Sequence, residues 1–291
     1  MDRRSALKHA LAGTGALALG WHTPERLSAS TVLPESQVRD EAYWQLIKSQ
    51  FRFREGLLYF NNASLGGSPV PVVDATNSFR ELLDGYPSKY MWGGWSEEKS
   101  VVRQKMAAMI NADPDEVALV HNTTEGMNLI ASSMELSKGD EIILGNHEHP
   151  TARIPWQYYQ EQGRGVTMVR PELPLTPRDP GEILEVYRQA ITRHTRVISM
   201  VHMTNTNGMI LPVKEICAMA RERGIVTAVD GAQSLAAIPC DMQELGCDYF
   251  AASAHKWLFS PKGMGVLFAR SDAPEIKPLI ANRRYKSKTM I

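Results

Sequence analysis

The stretch Ala251-Ala252-Ser253-Ala254-His255-Lys256-Trp257, with Phe259-Ser260-Pro261-Lys262-Gly263-Met264-Gly265-Val266 behind it, decides the fold. The run Asp248-Tyr249-Phe250-Ala251-Ala252 has the length and aromatic content of a short buried strand, and it gives way to small residues just before the lysine. Lys256 is thereby expected at the mouth of a sheet. A lysine held there, partly buried among polar groups, keeps a nucleophilic amine that can form a Schiff base with a carbonyl cofactor. A lone lysine is more often a surface residue on a loop, so the weight falls on its neighbours.

Those neighbours lie upstream in Thr227-Ala228-Val229-Asp230-Gly231-Ala232-Gln233-Ser234, again a strand that empties into a turn. Asp230 then stands beyond the carboxyl end of a strand, where open α/β sheets place ligand groups. A buried aspartate there can keep the ring nitrogen of pyridoxal phosphate protonated, so that the ring accepts the electrons left when a bond at an amino acid's α-carbon breaks. A strand-end aspartate alone also serves as a helix cap or turn residue. The ordered pair with Lys256 is the more specific signal.

With these blocks in place the chain resembles the class V aminotransferase group of fold-type I pyridoxal-phosphate enzymes, which includes cysteine desulfurases, selenocysteine lyases and isopenicillin N epimerase. The resemblance runs from about Leu58 to Arg270 and is strongest in Asp230-Gly-Ala-Gln-Ser, in Ser253-Ala-His-Lys-Trp and in Pro261-Lys-Gly. It implies an α/β fold whose large domain is a mainly parallel seven-stranded sheet with helices on both faces, the small C-terminal domain being largely missing. It further implies that Lys256 carries the Schiff base, that Asp230 holds the pyridine nitrogen, that Gln233 reaches the phenolic oxygen and that His255 also contacts the cofactor. His-Lys-Trp-Leu followed by Ser-Pro-Lys-Gly is most similar to the isopenicillin N epimerase-like branch.

With 43% hydrophobic and 22% charged residues, the 291-residue chain has an ordinary globular composition. Its 32 basic and 32 acidic side chains cancel, and no polybasic run points to nucleic acid or an anionic membrane as partner. Cys217, Cys240 and Cys247 lack CxxC spacing and are expected as core thiols.

Residues 1–30 look like an export signal: Arg3-Arg4, then Leu7-Lys8, then a mild apolar run from Ala10 to Gly20, with Ser28-Ala29-Ser30 as a cleavage zone. The run is too short and glycine-rich to insert stably in a bilayer. It resembles a twin-arginine signal, although Ala6 stands where a bulkier apolar residue is commoner. A periplasmic or secreted location is expected, with a cytoplasmic protein as the alternative. Residues 31–55 are expected to form a helical arm, amphipathic over Glu41 to Arg54.

Residues 56–270 make the large domain. Leu57 to Phe60 is expected as a strand entering the turn Asn61 to Pro69. In the resembled family this turn approaches the substrate side, which implicates Asn62 and Ser64 in substrate contact; shaping the turn is the equal alternative. After a helix over Glu97 to Ile110 and the strand Val117 to Val120, His121-Asn122-Thr123-Thr124-Glu125-Gly126 opens an apolar helix. Unpaired N–H groups at a helix start make an anion site, and the resemblance assigns Thr123 and Thr124 to the cofactor phosphate.

The strand Gly139 to Leu144 delivers His147-Glu148-His149. The resemblance implies that His149 stacks on the pyridine ring and takes part in proton transfer. A His147–His149 metal site is the competing reading, but the i, i+4 helical spacing and further ligands are missing, so no metal is expected. Trp156, Tyr158 and Tyr159 are expected on the buried side of the next helix, and Arg153 as either a substrate ligand or an ordinary helix residue. Strands Val166 to Val169 and Val197 to Val201 alternate with helices over Glu182 to Arg193 and Val213 to Arg223. This alternation predicts a mainly parallel sheet covered on both faces, which Gly265 to Ala269 closes, by the resemblance, as an antiparallel strand. The resemblance also gives Asn205 to the cofactor's phenolic oxygen; Thr204-Asn205-Thr206 stands where desulfurases have Asn-Asn-Glu, which argues mildly against that activity.

Family members carry a further domain with an arginine for the substrate carboxylate. Residues 271–291 are expected as a remnant of it or a tail, with Arg283 or Arg284 as substitute clamp or solvated residues. The same site residues serve transamination, epimerisation and β-substituent loss. No cysteine follows Lys256, so an aminotransferase or epimerase-like enzyme with a small-molecule amino-acid substrate is preferred. A cysteine desulfurase-like or C–S lyase activity is the first alternative. A catalytically inert cofactor-binding or interaction protein is the second. A homodimer is expected, because this fold places the cofactor near a subunit interface.

Overall fold

The structure, a computed structural model, describes residues 40–280; the expected export segment, the first part of the arm and the Arg283-Arg284 tail lie outside them. The strands are β1 Val117–Val120, β2 Glu141–Leu144, β3 Thr167–Val169, β4 Thr195–Val201, β5 Val226–Asp230, β6 Tyr249–Ser253 and β7 Gly265–Ala269. They form one seven-stranded sheet in the order β1-β7-β6-β5-β4-β2-β3. All neighbours from β6 to β3 pair parallel, and β7 is antiparallel to both β6 and β1. The expected antiparallel strand is therefore present but does not close the sheet. All five β7 residues are buried, as an interior strand requires.

The helices are α1 Glu41–Ser49, α2 Val70–Gly85, α3 Pro87–Met91, α4 Ser96–Met109, α5 Thr123–Ser133, α6 Pro150–Tyr159, α7 Pro180–Ala190, α8 Val213–Arg221 and α9 Met242–Leu245. Their starts follow from local chemistry. Asn122 Oδ1 accepts the Glu125 N–H at 2.9 Å to cap α5, and Asp179 Oδ1 accepts the Gly181 N–H at 2.7 Å ahead of Pro180 in α7.

Alternation along the strands splits the core between the two faces. Ala252, Phe250, Phe268 and Ile198 pack with α4, α7 and α8, whereas Tyr249, Ala251, Leu267 and Val197 pack with α5 and α6. Trp156 and Tyr159 are buried against the second face, and Tyr159 Oη donates to the Met134 carbonyl at 2.7 Å. Tyr158 is 63% exposed, contrary to expectation, because one step along a helix from Tyr159 turns it away from the buried face. Cys217, Cys240 and Cys247 are free, buried thiols.

Two N-terminal elements differ from the sequence reading. Leu57 to Phe60 pairs with no strand among the described residues, and Leu58 and Phe60 are 77% and 90% exposed. The first helix stops at Ser49 rather than Arg54, because Phe51 turns to bridge Pro69.

Candidate active site

Since β1 runs parallel to β6, the turns that follow β1, β2, β4, β5 and β6 all leave the same edge of the sheet. Four of them meet around a cavity of about 220 Å³ lined by Asn122, Thr123, Thr124, His149, Thr151, Asp230, Ala232, Ser253, His255 and Lys256. A wider depression of about 970 Å³ beside α7 is open, and its Arg178 and Glu182 already pair with each other at 2.5 Å.

Asp230 is the last residue of β5 and is 2% exposed. Its Oδ1 accepts the Ala232 N–H at 2.9 Å. Burial raises its pKa, opposed by that hydrogen bond and by the charges of Lys256 and His149. Lys256 is half-buried three residues beyond β6. Burial holds its amine below the ordinary lysine value, and the Asp230 charge works in the other direction.

At the start of α5, the Thr123 N–H donates to Ser253 Oγ at 3.0 Å, and the two hydroxyl oxygens lie 2.8 Å apart. This ties the helix start to the end of β6. The Glu125 N–H is taken by the Asn122 cap, whereas the Thr124 amide, on the second helical residue, has no acceptor within the helix. A second hydroxyl and a histidine complete this corner. The His255 Nδ1–H donates to the Met264 carbonyl at 3.1 Å, which fixes its tautomer and leaves Nε2 for a ligand. Burial lowers the His255 pKa, and the positive charges of Lys256 and Lys262 add to the effect.

His149 caps α6. Its Nδ1 accepts the Thr151 N–H at 3.2 Å and lies 2.9 Å from Thr151 Oγ1. The donors on Nδ1 put the ring proton on Nε2. His147 does not line the cavity, and among the described residues no three His, Cys, Asp or Glu side chains converge as a metal site.

The structure thus brings together Thr123, Thr124, His149, Asp230, His255 and Lys256. It places four others outside the cavity lining. Asn205 is exposed in the turn after β4. Gln233 is buried next to the cavity with its amide shared between two protein groups: Nε2 donates to the Ala63 carbonyl at 2.9 Å, and Oε1 accepts the Trp257 Nε1–H at 2.8 Å. Asn62 and Ser64 sit in a turn that packs on the Lys256 loop, through a Gly66 N–H to His255 carbonyl bond of 3.0 Å. Asn122, Thr151, Ala232 and Ser253 were not singled out from sequence. Asn122 was the most accessible of these, because Asn followed three residues later by Glu is a capping signature.

The buried Asp230 carboxylate suits a protonated ring nitrogen, and the α5 start suits an anion. The same cavity holds an amine whose pKa burial lowers. A small aromatic phosphate with a basic ring nitrogen and an aldehyde matches all three demands, and the cavity lies below the roughly 300–1,000 Å³ of sites for larger ligands.

The sequence pattern of "Aminotransferase class-V" matches residues 58–281. The chain is 31% identical over 246 residues to isopenicillin N epimerase of Streptomyces clavuligerus, covering 84% of this chain and 62% of that protein. It is 30% identical over 266 residues to a probable cysteine desulfurase of Xylella fastidiosa, covering 87% and 62%. Among solved structures, the cysteine desulfurase CsdA (S-sulfonic acid) from Escherichia coli superposes with a TM-score of 0.67 at 28% identity, covering 78% of this chain and 57% of that one. A lysine-to-alanine mutant of C-DES with glycine covalently linked to its PLP cofactor gives 0.70 at 26% identity, covering 77% and 59%. The chain spans about three fifths of the length of the curated relatives it matches. It belongs to the class V aminotransferase family, with the fold-type I architecture.

Proposed function

We propose that this chain is a pyridoxal 5'-phosphate enzyme acting at the α-carbon of an amino acid, as an aminotransferase or an isopenicillin N epimerase-like enzyme. The observation that carries the proposal is the half-buried Lys256 in one cavity with the buried carboxylate of Asp230. When bound, the cofactor supplies an aldehyde for amines and a ring that accepts electrons from the α-carbon. Lys256 would bind the aldehyde carbon through Nζ, yield that position to the substrate amine, and then take the α-proton at the same atom. Asp230 would hold the proton on the ring nitrogen, Thr123, Thr124 and His255 the phosphate end, and His149 the ring face. Asn205 and Gln233 are proposed to serve the phenolic oxygen. Asn62 and Ser64 are proposed to border the substrate.

A second reading, β-elimination at a carbon–sulfur bond, uses the same lysine as base. Burial pushes the Cys217 thiol up to about 12 and the Cys240 thiol up to about 11, and raises that of Cys247 as well. None of the three lines the cavity. None of these three thiols is therefore placed to act as a desulfurase nucleophile at this cavity.

Several further proposals accompany this one. Residues 31–55 act as an arm, 56–270 as the cofactor-binding domain and 271–291 as a remnant or tail. Arg3-Arg4 directs export. A second copy covers some of the exposed apolar side chains, among which Leu58, Phe60, Met91 and Trp92 are each more than half exposed.

The test is borohydride reduction of the protein mixed with pyridoxal phosphate, with peptide mapping of the reduced label, beside Lys256→Ala. Label on Lys256 alone, absent from the variant, is expected. Label elsewhere, or none, sinks the proposal. Proton exchange at the α-carbon of amino acids in deuterated water then separates an enzyme from an inert binder.

A further inference from the structure

Pro261-Lys262-Gly263 belongs to the motif that marks this chain, yet the chemistry above gives Lys262 no task. The structure sets it against the substrate-side turn. Its ammonium donates to the Gly66 carbonyl and, at 2.9 Å, to Ser68 Oγ. Ser68 Oγ donates in turn to the Ser260 carbonyl at 3.0 Å. A Cβ on Gly66 would stand 1.9 Å from the Lys256 carbonyl oxygen and 2.8 Å from that of His255, so the turn's backbone lies directly on the peptide bearing the candidate nucleophile. Gln233 fastens the other end of the same turn at Ala63 and leans on Trp257.

The loop between Lys256 and Lys262 is itself held in a costly shape. Phe259 has φ 58°, in the left-handed region that a residue with a Cβ enters at an energetic cost, and its ring meets Phe51 edge-on at 5.5 Å. Phe51 stacks on Phe53, whose ring occupies the space a Cβ on Gly67 would need. The Phe259 ring, the Ser260 carbonyl and the Lys262 ammonium all reach the segment from Phe51 to Ser68. Burial lowers the Lys262 pKa, and the described ion pairs include none with this ammonium. A partly desolvated cation bonded to a carbonyl and a hydroxyl suits bracing better than surface solvation.

We propose that Lys262 is a positioning residue, clamping the Asn61 to Ser68 turn onto the His255-Lys256 peptide and so fixing where the reactive lysine meets the substrate side of the site. The clamp matters to chemistry only if Lys256 binds the cofactor as proposed above, but its existence is independent of that.

Lys262→Met keeps the apolar stem and removes the donors, Lys262→Arg restores a cation, and Ser68→Ala removes one acceptor. Deuterium exchange of the full chain without cofactor is the first readout. Peptides covering residues 57–68 are expected to exchange about tenfold faster or more in Lys262→Met, with peptides from β4 and β5 unchanged and most protection recovered in Lys262→Arg. The second readout adds pyridoxal phosphate and follows reducible label on Lys256, expected to form several-fold more slowly in Lys262→Met. Unchanged exchange over 57–68 overturns the clamp, and so does a uniform rise that includes β4 and β5. Should Lys262→Met fail to fold, Ser68→Ala decides by the same local criterion. Absence of label in the parent chain counts against the functional reading alone, and the exchange data still judge the clamp.

Discussion

Asp230 and Lys256 share one cavity, and each steadies the other's charge against the burial that opposes it. Neither residue would hold its charged form as readily alone. The pair makes the lysine's titration a reporter of the aspartate.

Replacing Asp230 by Asn removes the negative charge that favours the Lys256 ammonium and leaves the desolvation in place. The midpoint for chemical modification of Lys256, followed by mass spectrometry across a pH series without cofactor, is expected to move to lower pH. An unmoved or higher midpoint would mean that the two groups do not feel each other.

The α5 start is expected to discriminate phosphate from hydroxyl. A hydrogen bond to a charged group contributes about 1.5–3 kcal/mol, so Thr124→Val should weaken pyridoxal phosphate binding about tenfold or more while leaving pyridoxal nearly unaffected. Equal losses for both ligands, measured by fluorescence titration, would remove Thr124 from the phosphate corner.

What the sequence disclosed and what it hid follow one division. Asp230 and Lys256 end or closely follow strands whose apolar runs are self-evident, so their approach to one sheet edge was legible. Thr123 and Thr124 were legible through the polar turn that opens α5. The position of β7 was not, because a buried apolar strand looks the same at any interior place in the order. Leu57 to Phe60 has the side chains of a strand and no neighbour among the described residues to pair with, a matter of tertiary placement. Gln233 was legible as a polar residue after Asp230, but its partners Ala63 and Trp257 come from 170 and 24 residues away and no local pattern announces them.

His202 gives the fold an acid-sensitive point. Burial lowers its pKa from 6.5 to about 4. Between these values the unfolded chain binds a proton that the folded chain refuses, so stability is fullest above about pH 6.5 and declines as pH falls toward 4. The full difference is on the order of 3 kcal/mol. Denaturant unfolding at pH 7 and pH 4.5 should show the parent losing more stability than His202→Gln, which does not titrate there. Equal losses would place the acid sensitivity elsewhere.

The spacing between α5 and β6 is set by a glycine facing an alanine. A Cβ on Gly126 would come within 2.6 Å of the Ala251 Cβ, closer than two methyl groups approach. Gly126→Ala must therefore push the helix from the sheet, an overpacking that costs about 1–3 kcal/mol. A lower melting temperature is expected, and also weaker binding of pyridoxal phosphate, because the displaced helix carries Thr123 and Thr124 at its start. Adding Ala251→Gly to the same chain returns the lost space on the strand side and should recover most of both properties. Recovery of stability without recovery of binding would show that helix spacing supports the fold but does not set the anion site. Full stability and affinity in Gly126→Ala alone would refute the close packing itself.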